Sequence, residues 1–164
     1  MKIEVVRSPR RRKTITAERK NGRVVVRLPA GMTRAEERSW VDRMVNRLTE
    51  RERAERLNRG RDLQRRADLL NRRYFGGRLE WRSLRYVSNQ HERFGSCTPD
   101  DGTIRISSRV AQMPWWVREY VLMHELAHLL VSSHSPRFKS LVDRYPLAER
   151  ARGFLIAKGL GEED

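Results

Sequence analysis

The sequence has almost none of the features that mark secreted or membrane-spanning proteins. Its 164 residues contain a single cysteine, Cys97, so the chain cannot form an internal disulfide. One unpaired thiol is typical of a protein in a reducing compartment. No stretch approaches the roughly 18 consecutive apolar residues of a membrane span, and residues 1–6 contain no apolar run of signal-peptide length. We therefore expect a cytoplasmic protein that does not bind membranes.

Acidic residues are scarce relative to basic ones. The net charge is +15, and 31 of the 36 basic residues are arginine. Residues 1–82 hold 25 basic and 11 acidic side chains, whereas residues 83–164 hold 11 and 10. A positive half of this kind predicts contact with DNA or RNA, because arginine binds phosphate groups well. A general compositional bias toward arginine would produce the same charge without any ligand.

The length favours a single domain, since a chain of this size buries about 70% of its unfolded surface. The hydrophobic patterns predict an α+β fold. Residues 1–31 form its N-terminal β-hairpin region, and residues 33–75 form a long, strongly basic helical region. Residues 84–164 carry the remaining strands and helices together with the candidate metal-binding residues. The sequence gives no indication of the oligomeric state.

Two local signals place the first elements of the chain. Asn21-Gly22 lies between two β-rich runs, Thr14–Arg19 and Arg23–Leu28, and this dipeptide favours a two-residue hairpin turn. Thr33 and Glu36 have the spacing of a capping box, so a helix should begin there.

Residues 50–66 are nearly all charged and leave three interpretations open. They could form one long solvated helix, two helices joined near Gly60, or a basic arm. Opposite charges four residues apart, such as Glu52 and Arg56, would support a helix. The glycines at positions 76 and 77 should end the next apolar helix face.

The second half of the chain begins with strands and continues with helices. Leu84–Val87 and Thr103–Ser107 alternate as half-buried strands do, and Pro99–Gly102 between them predicts a turn. Pro114 should open a helix that extends to Val131. Shorter helices are predicted at Arg137–Val142 and Ala148–Lys158, and the acidic end Glu162–Asp164 is expected to fray.

One motif on the predicted helix combines two imidazoles with a carboxylate. His124 and His128 are four residues apart, so on a helix their side chains project from the same face. Two nitrogen donors in this arrangement form a chelate for a metal ion. Glu125 is adjacent, close enough to act on a water at that metal without being a ligand.

A third metal ligand is needed, because catalytic zinc takes three protein ligands and keeps one position open. His134 is the candidate, and its distance from His128 requires the chain to leave the helix first. The three histidines have the spacing of the metzincin motif H-E-x-x-H-x-x-G-x-x-H. Val131 replaces its glycine and no Met-turn follows, so we do not assign a metzincin.

The fourth histidine and the cysteine are expected to lie outside the metal site. His91 lies in a polar run, Ser88–Arg93, which favours a solvated loop. A free cysteine is usually a small packed hydrophobe, so Cys97 is interpreted as structural.

Several segments of the chain together carry a resemblance to a known family. They are the N-terminal hairpin, Tyr74–Gly77, Arg93–Cys97, Thr103–Ser107, Val121–Leu130 and His134–Phe138. These segments resemble the YgjP-like metallopeptidase family, with a looser likeness to SprT-like (Spartan-type) zinc proteases. Family members usually have tryptophan before the Gly-Ser-Cys segment, where this chain has Phe94.

The resemblance implies both a fold and a set of residue roles. It implies a zincin-like core, in which a small antiparallel sheet packs on the H-E-x-x-H helix. It also implies that His124, His128 and His134 bind Zn²⁺ and that Glu125 is the catalytic base. The predicted function is therefore zinc-dependent hydrolysis of peptide bonds in a protein or peptide substrate. Tyr145 and the arginines near the motif are candidates for the oxyanion donor, with structural roles favoured for them.

Two alternative functions remain open from the sequence. A metal-dependent hydrolase of nucleotides or other phosphorylated substrates would keep the metal site and use arginines to hold phosphate. A nucleic-acid-binding module would use the metal only to stabilise its structure, and its binding would depend steeply on salt.

Overall fold

A computed structural model describes residues 1–159 and confirms the α+β class. The chain divides into two compact units, Met1–Arg53 and Ala54–Asp164, which we call unit 1 and unit 2. The boundary falls within the first helix. The grouping of residues 1–164 into one domain stays a prediction. The acidic end expected to fray, Glu162–Asp164, lies outside the described residues.

Unit 1 contains a three-stranded mixed sheet in the order β1-β3-β2. Strand β1 (Lys2–Ser8) runs parallel to β3 (Arg23–Pro29), and β2 (Thr16–Lys20) runs antiparallel to it. The hairpin between β2 and β3 forms as predicted. Asn21 and Gly22 have φ of 49° and 75°, the left-handed values that a type I′ turn requires.

One face of the unit 1 sheet is covered by the first helix, α1 (Arg34–Arg59). Val24, Val26 and Leu28 of β3 are fully buried and pack with Val45 and Leu48 of α1. Alternate residues of a strand point to the same face, which explains why every second residue of β3 enters this core.

The predicted capping box opens α1. The Thr33 backbone N–H donates to Glu36 Oε2 at 2.8 Å, and the Glu36 N–H donates back to Thr33 Oγ1 at 3.3 Å. Together these bonds satisfy two backbone donors at the start of the helix.

The charged stretch forms two helices with a joint at Gly60, the second of the three interpretations. Helix α1 ends at Arg59, and α2 spans Asp62–Phe75. Gly76 ends α2 in the left-handed conformation, with its N–H donating to the Asn71 carbonyl. Within unit 1, Glu52 accepts two hydrogen bonds from Arg19 of β2, both of 2.8 Å.

Unit 2 contains a second three-stranded sheet, in the order β4-β6-β5. Strands β4 (Ser83–Val87) and β6 (Thr103–Ser107) form where predicted, whereas β5 (Gly95–Thr98) was not predicted. The turn at Pro99–Gly102 makes β5 antiparallel to β6, as a tight hairpin must.

The expectation of a small antiparallel sheet in this unit is wrong, because β4 pairs with β6 in the parallel direction. The chain leaves β4 through residues 88–94, forms β5, and turns back, so β6 lies between the other two strands. A connection of this length allows the parallel pairing that a tight turn forbids.

Helices complete unit 2 around a core that includes Ile104 and Ile106 of β6. A 3-10 turn at Ser108–Gln112 leads to α3 (Trp115–His128), which begins after Pro114 as predicted but ends three residues before Val131. Helices α4 (Pro136–Val142) and α5 (Ala148–Ala157) follow. Within residues 1–159, no helix combines the length and the apolar character needed to cross a bilayer.

Candidate metal centre

Most residues of helix α3 are buried, and its two histidines are exceptions. Leu122, Met123, Leu126 and Ala127 are at most 1% exposed and pack into the core of unit 2. His124 and His128 keep some exposure. The apolar residues therefore fix the orientation of α3, and the two imidazoles occupy the strip that remains.

The chain leaves the helix directly after His128, as the position of His134 requires. A turn follows, and α4 begins at Pro136. Ser135 caps α4, because its hydroxyl accepts a hydrogen bond of 3.4 Å from the Phe138 N–H. Proline in the first turn of α4 needs no hydrogen-bond partner for its nitrogen. The cap and the proline together set the point at which the chain turns back past His134.

The structure brings the three histidines predicted as ligands into one cluster. His124 Nε2 lies 3.2 Å from His128 Nε2 and 3.1 Å from His134 Nε2. The third separation, between Nε2 of His128 and Nε2 of His134, is 3.1 Å. The three nitrogens thus form a nearly equilateral triangle.

This triangle fits a tetrahedral metal ion. Three nitrogens bound to one tetrahedral zinc at about 2.0–2.1 Å are about 3.3–3.4 Å apart. The observed separations of 3.1–3.2 Å are within about 0.3 Å of this value. Among the His, Cys, Asp and Glu side chains of residues 1–159, these three histidines form a group whose ligand atoms lie close enough together to hold a metal ion.

The protonation of the cluster is also suitable for metal binding. Burial, together with the neighbouring imidazoles of His128 and His134, lowers the pKa of His124 to about 3. Burial likewise lowers the pKa of His128. Nδ1 of His128 lies 3.1 Å from the Val131 carbonyl oxygen. Because a carbonyl only accepts, Nδ1 carries the proton and Nε2 turns a lone pair toward the other two rings.

Phe138 of α4 packs against all three imidazoles. Its ring stacks on His128 with a centroid separation of 4.3 Å. It meets the rings of His124 and His134 edge-on at 4.8 and 4.9 Å. Phe138 is itself buried, so it forms an apolar wall that restricts the rotation of the histidine rings.

Glu125 is buried beside the cluster, on the side of α3 that contacts β5. Only 5% of the residue is exposed, and burial raises the pKa of its carboxyl to about 8, although the positive charge of Arg93 acts in the opposite direction. A carboxyl with a pKa in this range can exchange protons near neutral pH. The side chain lies against Gly95, whose missing side chain leaves it room.

A cavity of about 440 Å³ connects these groups. Strand β5 forms one wall and lies at the edge of its sheet, so within the described residues it pairs with a strand on one side only. The three histidines, Glu125 and Tyr120 line the same space. A substrate in this cavity would therefore contact the cluster and the carboxylate together.

The residues predicted to lie outside the cluster do so. His91 is exposed in a loop. Cys97 is half-buried at the cavity wall, and burial raises the pKa of its thiol to about 12. The Tyr145 hydroxyl lies 3.1 Å from both the Trp116 carbonyl and Glu119 Oε2, which fits the structural role favoured for it.

Sequence reasoning assigned no role in the site to Gly95, Tyr120 or Phe138. Tyr120 is four residues before His124, so the helical spacing alone could have placed it on the same face. Gly95 of β5 and Phe138 of α4 contact the motif residues only through tertiary packing, so no local sequence pattern could have identified them.

Residues 63–155 match the model of the YgjP-like family, described as a metallopeptidase domain. The match spans more than half of the chain, so this protein belongs to the YgjP-like metallopeptidase family. The comparison with curated proteins gave no match.

One solved structure is similar in fold: the metallopeptidase zymogen of Pyrococcus abyssi abylysin, with a TM-score of 0.50. The alignment covers 58% of this chain and 93% of that chain at 20% sequence identity. At that identity the likeness concerns the fold alone.

Proposed function

We propose that the protein is a zinc-dependent metallopeptidase with a zincin-like core, in which His124, His128 and His134 hold the metal and Glu125 is the general base. The observation that carries this proposal is the convergence of three imidazole nitrogens beside a buried carboxyl in one cavity. Membership of a metallopeptidase family supports it.

His124, His128 and His134 would hold the zinc, which when bound would supply a water with a pKa of about 7 and polarise a substrate carbonyl. Glu125 accepts the proton of the attacking water and returns it to the leaving amine. In the metal-free protein, burial raises the pKa of the Glu125 carboxyl to about 8, which favours the protonated form at neutral pH. A nearby cation favours the ionised form and makes the carboxylate available as a base.

Strand β5 supplies a way to bind a peptide. An extended peptide can add to the open edge of a sheet through main-chain hydrogen bonds. Gly95, Ser96 and Cys97 of β5 line the cavity that contains the histidines. A peptide docked there would present its carbonyl groups to the cluster, which favours peptides as the substrate class.

The test is the substitution Glu125→Gln, assayed on a peptide library with parallel elemental analysis. Glutamine has the same shape but cannot take up the proton, so we expect turnover to fall by about 10²–10⁴-fold while zinc remains bound. Glu52→Gln is a matched control, because Glu52 is also a helical glutamate but lies in unit 1. Retained turnover in Glu125→Gln would exclude this residue as the base.

The same experiment separates the alternative with phosphorylated substrates. Nucleoside triphosphates are included in the panel beside the peptides, and Glu125→Gln is the blank for both. Cleavage of the triphosphates without cleavage of any peptide would replace the peptidase proposal.

Contact with DNA or RNA is a separate proposal, based on charge. Arg10, Arg12 and Lys13 are exposed between β1 and β2. Replacing the three with glutamine should weaken binding of the full chain to an oligonucleotide and flatten its salt dependence. Binding that does not change in this variant would exclude the segment as the contact.

A further inference from the structure

We infer that Gly95 is a positioning residue for Glu125, because its missing side chain leaves the space in which the Glu125 carboxylate lies between α3 and β5. This inference deepens the proposed function and rests on it for its catalytic consequence. The steric part of the inference depends only on the positions of Gly95 and Glu125.

The geometry at Gly95 is specific to one neighbour. A Cβ added there would lie 2.5 Å from Glu125 Oε1 and 2.7 Å from both Cδ and Cγ of Glu125. These are the three nearest atoms to that Cβ apart from the residue and its chain neighbours, and all of them belong to Glu125. Any side chain at position 95 would therefore compete directly with the carboxylate.

The backbone does not explain the glycine. Gly95 is absent from the residues with positive φ, so an L-amino acid could adopt its conformation. It is a regular strand residue that pairs with Ile106. Its role is therefore to provide volume, in contrast to Gly76, which ends α2 in the left-handed region.

The surroundings decide which partner moves when a side chain is added. Strand β5 is held by its pairing with β6, whose Ile106 is fully buried, and the Ser107 N–H donates to the Phe94 carbonyl at 2.7 Å. The side chain of Glu125 can rotate. A methyl group at position 95 should therefore displace the carboxylate rather than the strand, and its effect should fall on catalysis more than on folding.

The first measurement is the steady-state kinetics of Gly95→Ala with its metal content. We expect kcat to fall by about 10²-fold, because a displacement of about 1 Å at a reacting group has effects of this size. The metal content should match that of the wild type, and KM should change much less than kcat. Gly153→Ala is the matched control, since a Cβ on Gly153 meets no atom within 4 Å.

A double-mutant cycle on the metal-free protein tests the steric part without any activity. Gly95→Ala should lower the unfolding midpoint in the wild-type background and have no such effect when combined with Glu125→Ala, because that truncation removes the three opposing atoms. If Gly95→Ala folds only in the Glu125→Ala background, the same coupling is demonstrated. Equal losses in both backgrounds, or failure to fold in both, would overturn the inference.

The two proposals fail in different ways. A wild-type kcat in Gly95→Ala, together with an inactive Glu125→Gln, would overturn the positioning role and leave the base in place. An active Glu125→Gln would overturn the base, whereas the coupling between positions 95 and 125 would still report their packing.

Discussion

The two sheets of this protein have the same topology but very different contents. In each, the first strand runs parallel to the third and the second runs antiparallel to it, so the third strand is central. In each, alternate residues of the central strand enter a core: Val24, Val26 and Leu28 in unit 1, and Ile104 and Ile106 in unit 2. The arrangement of strands therefore does not distinguish the unit with the candidate site.

The difference lies in the edge strand and in the glutamate of the following helix. Opposite Val24, β2 has Arg19, which forms an ion pair with Glu52 of α1. Opposite Ile104, β5 has Cys97, and Glu125 of α3 lies against Gly95 of the same strand. The first glutamate is neutralised at the surface, whereas the second is buried with a raised pKa.

The two edge strands, β2 and β5, differ in the kind of residue that they contain. Charged residues on an edge strand, such as Glu18, Arg19 and Lys20 of β2, discourage pairing with other chains. The four residues of β5 are small and uncharged. Such an edge leaves room for a buried carboxylate and for an incoming strand.

The largest effect is expected from removing a candidate metal ligand of unit 2, which should abolish metal binding. His134→Ala removes one of the three converging nitrogens, so we expect zinc to be absent by elemental analysis. Peptidase activity should fall by more than about 10²-fold, beyond the loss typical of a residue that only supports a ligand. His91→Ala is the control, because His91 is exposed outside the cluster. A full zinc content in His134→Ala would exclude it as a ligand.

The next effect concerns the uncharged edge strand and its thiol. Because burial raises the pKa of Cys97 to about 12, the folded protein holds less thiolate at pH 8 than the unfolded chain, whose thiol has an ordinary pKa. We expect alkylation of the chelator-treated folded protein to be at least about 10²-fold slower than in urea, since the thiolate is the reactive form. The rate should rise with pH up to the raised pKa. Equal rates would show that the thiol is not desolvated.

A smaller effect is expected from the aromatic wall of the cluster. Phe138→Leu keeps an apolar side chain but removes the ring that contacts the three imidazoles. We expect zinc affinity to fall about tenfold, as for other residues that support metal ligands. Phe154→Leu is the control, because that ring packs against Trp116 instead. Competition with a chromogenic chelator measures both, and equal affinities would show that the wall does not hold the ligands.

The smallest effect is expected from the ion pair of unit 1. Arg19→Gln and Glu52→Gln each remove a surface contact, and such pairs contribute little to stability. Activity should stay within about twofold of wild type, because both residues lie in unit 1 and the histidine cluster lies in unit 2. A large loss of activity in either variant would contradict the separation of roles between the two glutamates.

The structural features that could be predicted from the sequence are those that depend on residues close together in the chain. The Asn21-Gly22 turn and the capping box at Thr33 each depend on a few adjacent residues, and both formed. The meeting of His124 and His128 on one helix face follows from helical spacing in the same way. These features require no knowledge of how distant parts of the chain pack.

What could not be predicted depends on contacts between distant segments. Gly95–Thr98 has low strand propensity and becomes β5 only because β6 pairs with it. The parallel pairing of β4 with β6 depends on the path of the connecting chain, which the pattern of residues does not specify. Gly95 and Glu125 are 30 residues apart in the sequence, and the residues around each of them do not indicate the contact.

The short distance along the chain between the candidate ligands separates the elements that metal binding needs from those that catalysis needs. His124 and His134 are ten residues apart, and closing so short a loop costs little chain entropy. The three nitrogens come from α3 and the turn before α4, whereas Glu125 is enclosed by Gly95 of β5, 30 residues away in the sequence. A change confined to β5 would therefore disturb the enclosure of Glu125 and leave the donor cluster in place.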